Sequence, residues 1–210
     1  MIYNDFCGIK MSRLGFGCMR FPKTFEETKA CIDLAMASGV NYYDTAYVYN
    51  NSEVTLAKCL EGYDRSSYYL TSKLPIFRME TKEDTLRFFN ESCERLQTDY
   101  IDFYLLHALN AGSVKKIKEL GVIDELKKLI EQGRIKHLGF SIHAPKDVLL
   151  DALELYDFDC VQIQLNYLDI SLVRAISVVT ESTLRLSIIS CDKSLCARCS
   201  LSRRMPSSES

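Results

Sequence analysis

No apolar run in this 210-residue chain reaches the roughly 18 residues that a membrane-spanning helix needs. Neither sign of charge is in excess. The 26 Lys and Arg stand against 28 Asp and Glu, for a net charge of −2. Such a balance gives no electrostatic reason to expect nucleic acid or an anionic membrane as partner. Met1 to Lys10 carries no basic segment followed by an apolar one, so a signal peptide is not expected. A paired-cysteine framework is missing as well. Nine cysteines is an odd number, and Cys7, Cys18, Cys31, Cys59, Cys93 and Cys160 stand singly. That is the usage of reduced, mostly buried thiols in a cytoplasm. What is present, 47% hydrophobic and 26% charged residues, is the composition of a water-soluble globular protein of one domain, or at most two.

The chain alternates strand and helix patterns. Met1–Lys10 suits a small hairpin with Asp5 and Gly8 as turn residues. Leu14–Arg20 reads as a first strand, in which a Gly-x-Gly pair marks either a close approach or a tight strand exit. Thr24, with Glu27 three residues on, has the capping-box pattern of a helix that Gly39 stops. Helices are expected over Ser52–Glu61, Thr81–Leu96, Val122–Gln132 and Pro145–Tyr156. In the second of these, Leu86, Phe89, Cys93 and Leu96 recur at helical spacing. Strands are expected over Asn41–Ala46, Tyr68–Leu74, Tyr100–His107, His137–Ser141 and Cys160–Asn166. Six strands separated by helices imply a parallel sheet with right-handed crossovers. Periodicity alone leaves a closed barrel and an open doubly wound sheet equally available.

The stretch Asn41–Glu53 organises the rest. It places a carboxylate, Asp44, at the end of a strand and a phenol, Tyr49, in the following loop, with Ser52 as a plausible N-cap of the next helix. In isolation Asp44 could simply start a turn and Tyr49 simply pack. Polar residues also end other strands, however: Lys73, His107, Ser141 and Gln162. A single lysine there is ordinarily a side chain reaching out to solvent, and a single histidine ordinarily satisfies a local hydrogen bond. Repetition at the same end of successive strands is the arrangement in which α/β barrels keep their chemistry.

These residues carry a family pattern. Asn41-x-x-Asp44-Thr45-Ala46-x-x-Tyr49-x-x-Ser52-Glu53, Thr71-Ser72-Lys73 and Leu105-Leu106-His107 together resemble the signature of the aldo-keto reductases, in the family's order. The resemblance implies a (β/α)8 TIM-type barrel and a catalytic tetrad of Asp44, Tyr49, Lys73 and His107. It implies NADP-dependent carbonyl reduction, with the hydride coming from the reduced cofactor, NADPH. Tyr49 would be the general acid, Lys73 the cation adjusting its acidity, Asp44 the partner fixing Lys73, and His107 the donor orienting the carbonyl oxygen. A nearby ammonium favours the ionised form of a phenol, which is the chemical reason for that pairing. Gly139-Phe140-Ser141 and Gln162-x-x-x-Asn166 resemble the family segments that hold the nicotinamide carboxamide, through Ser141 and Gln162. Two positions depart from the pattern. Asn50 stands where the family has Gly, and Asn is the residue best able to take a positive φ in its place. Ile142 stands where the family has Asn, followed by His143, which removes one expected carboxamide contact.

The resemblance runs to about residue 170. Residues 171–210 hold 11 serines and six Lys or Arg against three Asp or Glu. A helix over Leu172–Glu181 and a strand over Leu184–Ser190 are conceivable, an eighth strand is not visible, and Ser202–Ser210 reads as a disordered end. A truncation or a shifted reading frame after about residue 170 would produce this change. The expectation is therefore an incomplete barrel of about six βα units over residues 1–170 and a divergent Ser-rich tail over 171–210. Cys191, Cys196 and Cys199 have the spacing of three ligands of a plant-type [2Fe–2S] centre. The family has a branch with a ferredoxin-like 4Fe-4S extension, but no fourth cysteine follows here, so no metal or cluster is assigned. Two functions compete: a cytoplasmic NADP-dependent reductase of a small carbonyl substrate, with no protein partner indicated, and a non-catalytic barrel fragment unable to hold the dinucleotide. An iron–sulfur electron carrier is a distant third.

Overall fold

The computed structural model describes residues 1–163. The chain opens with an antiparallel hairpin of β1 (Tyr3–Phe6) and β2 (Ile9–Ser12), turned through Cys7 and Gly8. A second, wholly parallel sheet follows: β3 (Phe16–Gly17), β4 (Tyr42–Asp44), β5 (Tyr69–Leu74), β6 (Ile101–Leu109), β7 (Ile135–Ile142) and β8 (Cys160–Ile163). The crossovers carry α1 (Phe25–Ala37), α2 (Ser52–Leu60), α3 (Glu83–Leu96), the pair α4 (Ala111–Leu120) and α5 (Val122–Glu131), and α6 (Lys146–Leu153). The spatial order is β3-β4-β5-β6-β7-β8, the same as the sequence order. A doubly wound sheet must reverse its strand order somewhere, and this one does not. Strands added always on the same side curl the sheet toward closure, so the described residues form an incomplete (β/α)8 barrel.

Each strand sends alternate side chains to two different cores. Tyr43, Leu70, Tyr104, Leu106, Leu138, Phe140 and Val161 pack outward against the helices. Tyr42, Phe103, Leu105 and Cys160 pack inside the sheet's curve, and Phe6, Ile9 and Met11 of the hairpin pack against them. The hairpin thus floors the barrel at the N-terminal ends of the strands. Asp44, Lys73, His107, Ser141 and Gln162 share the inward parity but lie at the opposite, C-terminal ends.

Several local expectations change. Thr24 and Glu27 do form the capping box. Ser52, however, is the first helical residue and not the N-cap; Asn51 takes that place without a side-chain bond. The reason is burial: the Ser52 hydroxyl donates to the Cys18 carbonyl at 2.6 Å and meets Thr45 Oγ1 at 2.7 Å. The first parallel strand shrinks to two residues, since beyond it only Cys18 N–H still reaches the Asp44 carbonyl. Leu86 is 44% exposed and does not belong to the buried face of α3, which Thr85, Phe88, Phe89, Ser92, Cys93 and Leu96 supply. Helix α4 is absent from the pattern read in the sequence, although Asn110 and Ser113 give it a reciprocal capping box. Residues 164–166 of the expected sixth strand, and every element expected beyond them, lie outside the described residues. No helix among the described residues is long and apolar enough to cross a membrane.

Candidate active site

Asp44 closes the three-residue strand β4, whose side chains are all buried. It is paired in register with Thr71, not with Lys73. Lys73 lies two residues further along β5, one inward-facing position nearer the mouth. Its four-carbon stem spans that offset. Lys73 Nζ donates to Asp44 Oδ1 at 2.7 Å, to Asp44 Oδ2 at 2.8 Å and to the Thr45 carbonyl at 2.7 Å. An ammonium has three N–H groups, so these acceptors can engage all of them. Lys73 is only 1% exposed, and a charge so buried requires this full set of partners.

Tyr49 reaches the same place from the β4–α2 loop. Its N–H donates to the Ala46 carbonyl, and its own carbonyl accepts from Ser52 N–H at 2.8 Å. Asn50 follows with φ at +48°, so the residue standing in place of glycine does take the left-handed conformation. Lys73 Nζ lies 5.0 Å from the Tyr49 ring centroid. The Tyr49 ring meets the His107 imidazole edge-on, with centroids 5.6 Å apart and planes at 79°. The loop is held on both sides. Ser52 ties it to β3's exit, while Glu53, 2% exposed, accepts from Ser72 Oγ at 2.6 Å and pairs with Arg95 at 3.3 Å. Burial pushes the Glu53 carboxyl above its ordinary range despite these donors.

His107 stands near the end of β6, where the ladder to β7 is irregular. Leu106 pairs with Phe140 and Leu109 with Ile142, so β6 spends one residue more than β7 between them. This β-bulge is centred on Ala108, which has φ at +51°. It lets Leu109 rejoin the helix-side core while His107 still faces inward. The imidazole is pushed down to a pKa of about 3, first by burial, then by the Lys73 charge and by His143. It is therefore neutral at physiological pH and can offer one N–H. His107 Nδ1 is buried without a hydrogen-bond partner among the described residues.

Ser141 and Gln162 are register partners on β7 and β8. Ser141 Oγ accepts the Ala108 N–H at 2.8 Å, leaving its own hydroxyl proton to donate elsewhere. Gln162 Oε1 is buried and has no partner among the described residues. A hydroxyl donor beside an unsatisfied amide oxygen fits a primary carboxamide, which offers one acceptor and two donors. Among the described residues, Ser141 and Gln162 suit such a group. The structure brings the six residues singled out in the sequence to the C-terminal ends of neighbouring strands, and adds Thr45 as the third acceptor of Lys73 and Ala108 as the bulge beside His107. Among the described residues no cluster of three His, Cys, Asp or Glu is placed to hold a metal. Cys191, Cys196 and Cys199 lie outside them.

Comparison with known proteins is consistent along the chain. The sequence profile of the Aldo/keto reductase family matches residues 13–180. "Probable aldo-keto reductase 1" of Glycine max is 31% identical over 173 residues, 75% of this chain and 49% of its own length. Glyoxal reductase of Bacillus subtilis (strain 168) is 32% identical over 149 residues, 69% of this chain and 51% of its own. The holo form of aldo-keto reductase AKR11C1 from Bacillus halodurans, 26% identical, superposes with a TM-score of 0.79 over 90% of this chain and 65% of that one. This chain thus spans about half the length of the curated relatives it matches. The parallel order of its strands, the residues gathered at their C-terminal ends and the match over residues 13–180 agree, and the chain belongs to the aldo/keto reductase family.

Proposed function

We propose that this chain is an NADP-dependent oxidoreductase that reduces an aldehyde or ketone to the alcohol, with Asp44, Tyr49, Lys73 and His107 as its catalytic residues. The observation that carries the reading is the convergence of these four side chains at one end of the sheet, with Lys73 bonded to Asp44 and both Lys73 and His107 against the Tyr49 ring. NADPH, when bound, supplies the hydride to the carbonyl carbon. Tyr49 gives its phenolic proton to the carbonyl oxygen, and the resulting phenolate regains a proton from solvent. Lys73, fixed by Asp44 and Thr45, cannot be the proton donor while its three N–H groups are engaged. Its charge acts across about 5 Å on the Tyr49 ring, favouring the phenolate that proton transfer leaves behind. His107, kept neutral by burial, directs an N–H at the carbonyl oxygen and fixes its orientation. Ser141 and Gln162 would hold the carboxamide of the cofactor. The free thiols of the described cysteines suit a reducing cytoplasm.

A second reading is favoured by the length of the match. The curated relatives are about twice as long as their aligned parts, and in this reading the chain holds the four residues without the rest of a dinucleotide site. A fluorescence titration with NADPH separates the two. Saturable binding at micromolar concentration supports the reductase and discards the fragment. No binding up to millimolar NADPH discards activity for this chain and leaves the fragment.

A further inference from the structure

We propose that Ser141 is a positioning residue for His107: its hydroxyl oxygen, by accepting the Ala108 N–H, holds the β6 bulge that aims His107 into the mouth of the barrel. This rests on the reading of His107 as the carbonyl-orienting donor, but it concerns a different group and a different atom of Ser141. The assigned task of Ser141 is to contact the cofactor with its proton. The additional task uses its lone pair and faces the protein.

Three observations support it. The first is the extra residue of β6. Between the pairs Leu106–Phe140 and Leu109–Ile142, β6 has two intervening residues where β7 has one, so one β6 amide has no strand carbonyl to meet. The second is strain. Ala108 is a non-glycine residue at φ +51°, an unfavourable conformation that persists only where surroundings impose it. The third is the bond itself. Ala108 N–H reaches Ser141 Oγ at 2.8 Å, and Ser141 is 4% exposed, so water is poorly placed to substitute. The bulge also decides side-chain direction. In a regular ladder, successive residues alternate faces and Leu109 would follow His107 inward. With the extra residue at Ala108, Leu109 is packed among the outward, helix-side residues and His107 is left as the last inward group of β6. A carbonyl-orienting imidazole must keep its direction to within a fraction of an ångström to be useful. A hydrogen bond to its Nδ1 does not secure that, because Nδ1 has no partner among the described residues. The backbone one residue later does, through Ser141.

The arrangement also connects cofactor and substrate. Whatever draws the Ser141 hydroxyl toward the carboxamide polarises or displaces the oxygen that holds Ala108. Dinucleotide binding and His107 orientation are then coupled through a single side chain.

The test reads the backbone and the ring directly, by NMR of the full chain without cofactor, so it does not depend on reductase activity. In the unsubstituted protein the Ala108 amide should exchange slowly with solvent. In Ser141→Ala its exchange should accelerate at least tenfold and the His107 ring ¹⁵N resonances should move. Ser141→Thr, which keeps the hydroxyl, should restore both. Fast exchange at Ala108 in the unsubstituted chain would overturn the proposal even if Ser141→Ala failed to fold. So would a folded Ser141→Ala with unchanged Ala108 exchange and unchanged His107 resonances. Weakened NADPH binding in that variant, with those two signals unmoved, would leave Ser141 as a cofactor contact alone. If the two signals respond but the chain reduces no carbonyl, the coupling stands and the reductase reading fails.

Discussion

Lys73 and Asp44 are bonded at 2.7 and 2.8 Å although they are not register partners; Asp44 is opposite Thr71, two residues short of Lys73. The offset is the stagger of a curling parallel sheet, which brings inward side chains of neighbouring strands toward each other at different heights. The pair is almost wholly desolvated, and the interior repays that cost only while both partners remain. Lys73→Met should therefore destabilise the chain by about 3–5 kcal/mol, because it leaves the Asp44 carboxylate buried with no cation. Adding Asp44→Asn should recover a substantial part of the loss. Urea unfolding of the two single variants and the double variant checks this, and strictly additive losses would show that the bond contributes nothing.

His107 gives the chain an acid-side liability. Its native pKa is about 3, against about 6.5 for an unperturbed imidazole. Between these values the unfolded chain binds a proton that the native state refuses, so stability falls as pH falls through the window. At pH 5 the cost is about 2 kcal/mol, since 1.5 units lie between pH 5 and the unfolded pKa and each unit is worth about 1.36 kcal/mol. His107→Gln should remove this component. Carboxylates also titrate there, so the measurement is the difference between variant and parent in urea midpoint at pH 7 and pH 5. An unchanged difference would mean that His107 is readily protonated in the native state.

Much of this architecture was legible in the sequence because the two periodicities differ so clearly. Strand β6 is apolar nearly throughout, as a strand covered on both faces must be. Its irregularity was illegible for the same reason: an extra residue in a nearly all-apolar run leaves no mark on the pattern, and it shows only in the register to β7, the φ of Ala108 and the Ser141 bond. Helix α4 escaped because it buries little apolar surface, chiefly Val114 and Ile117, between lysines. Ser52 shows the opposite failure. A helix-start serine reads as a cap, but here tertiary packing claims its hydroxyl for β3's exit. The six candidate residues could be singled out because they end successive strands and match family motifs, whereas Thr45's role as acceptor resides in its backbone and no side-chain pattern could report it.

The close approach of β6, β7 and β8 inside the barrel depends on Gly139. A Cβ built there would overlap the Cys160 carbonyl oxygen, lie 2.5 Å from Cys160 Sγ and 2.8 Å from Leu105 Cδ2. The carbonyl cannot move without breaking the β7–β8 ladder that carries Ser141 and Gln162. Gly139→Ala should cost at least about 2 kcal/mol, in the range of overpacked cores. Cys160→Ala should not rescue it, since the nearest obstacle is backbone. Recovery of the thermal midpoint in the double variant would show that the thiol alone sets the spacing.

The proposed chemistry turns on a single oxygen atom. Tyr49→Phe removes the phenolic hydroxyl and keeps the ring that packs edge-on against His107 and beneath Lys73. The loop conformation should survive, because backbone bonds of Tyr49 to Ala46 and Ser52 hold it. NADPH affinity should accordingly stay within about twofold of the parent, since Ser141 and Gln162 lie on other strands. Carbonyl reduction should fall by about 10²–10⁴-fold, the ordinary worth of a positioned general acid. Any remaining proton source lacks the place of the phenol beside the Lys73 charge. Single-turnover reduction of a small aldehyde, followed by loss of NADPH absorbance, measures the effect apart from product release. A variant retaining more than a tenth of the parent rate would remove Tyr49 from the role of acid. His107, neutral and carrying one N–H, would then be the remaining candidate donor at the mouth, and its removal would have to abolish the reaction.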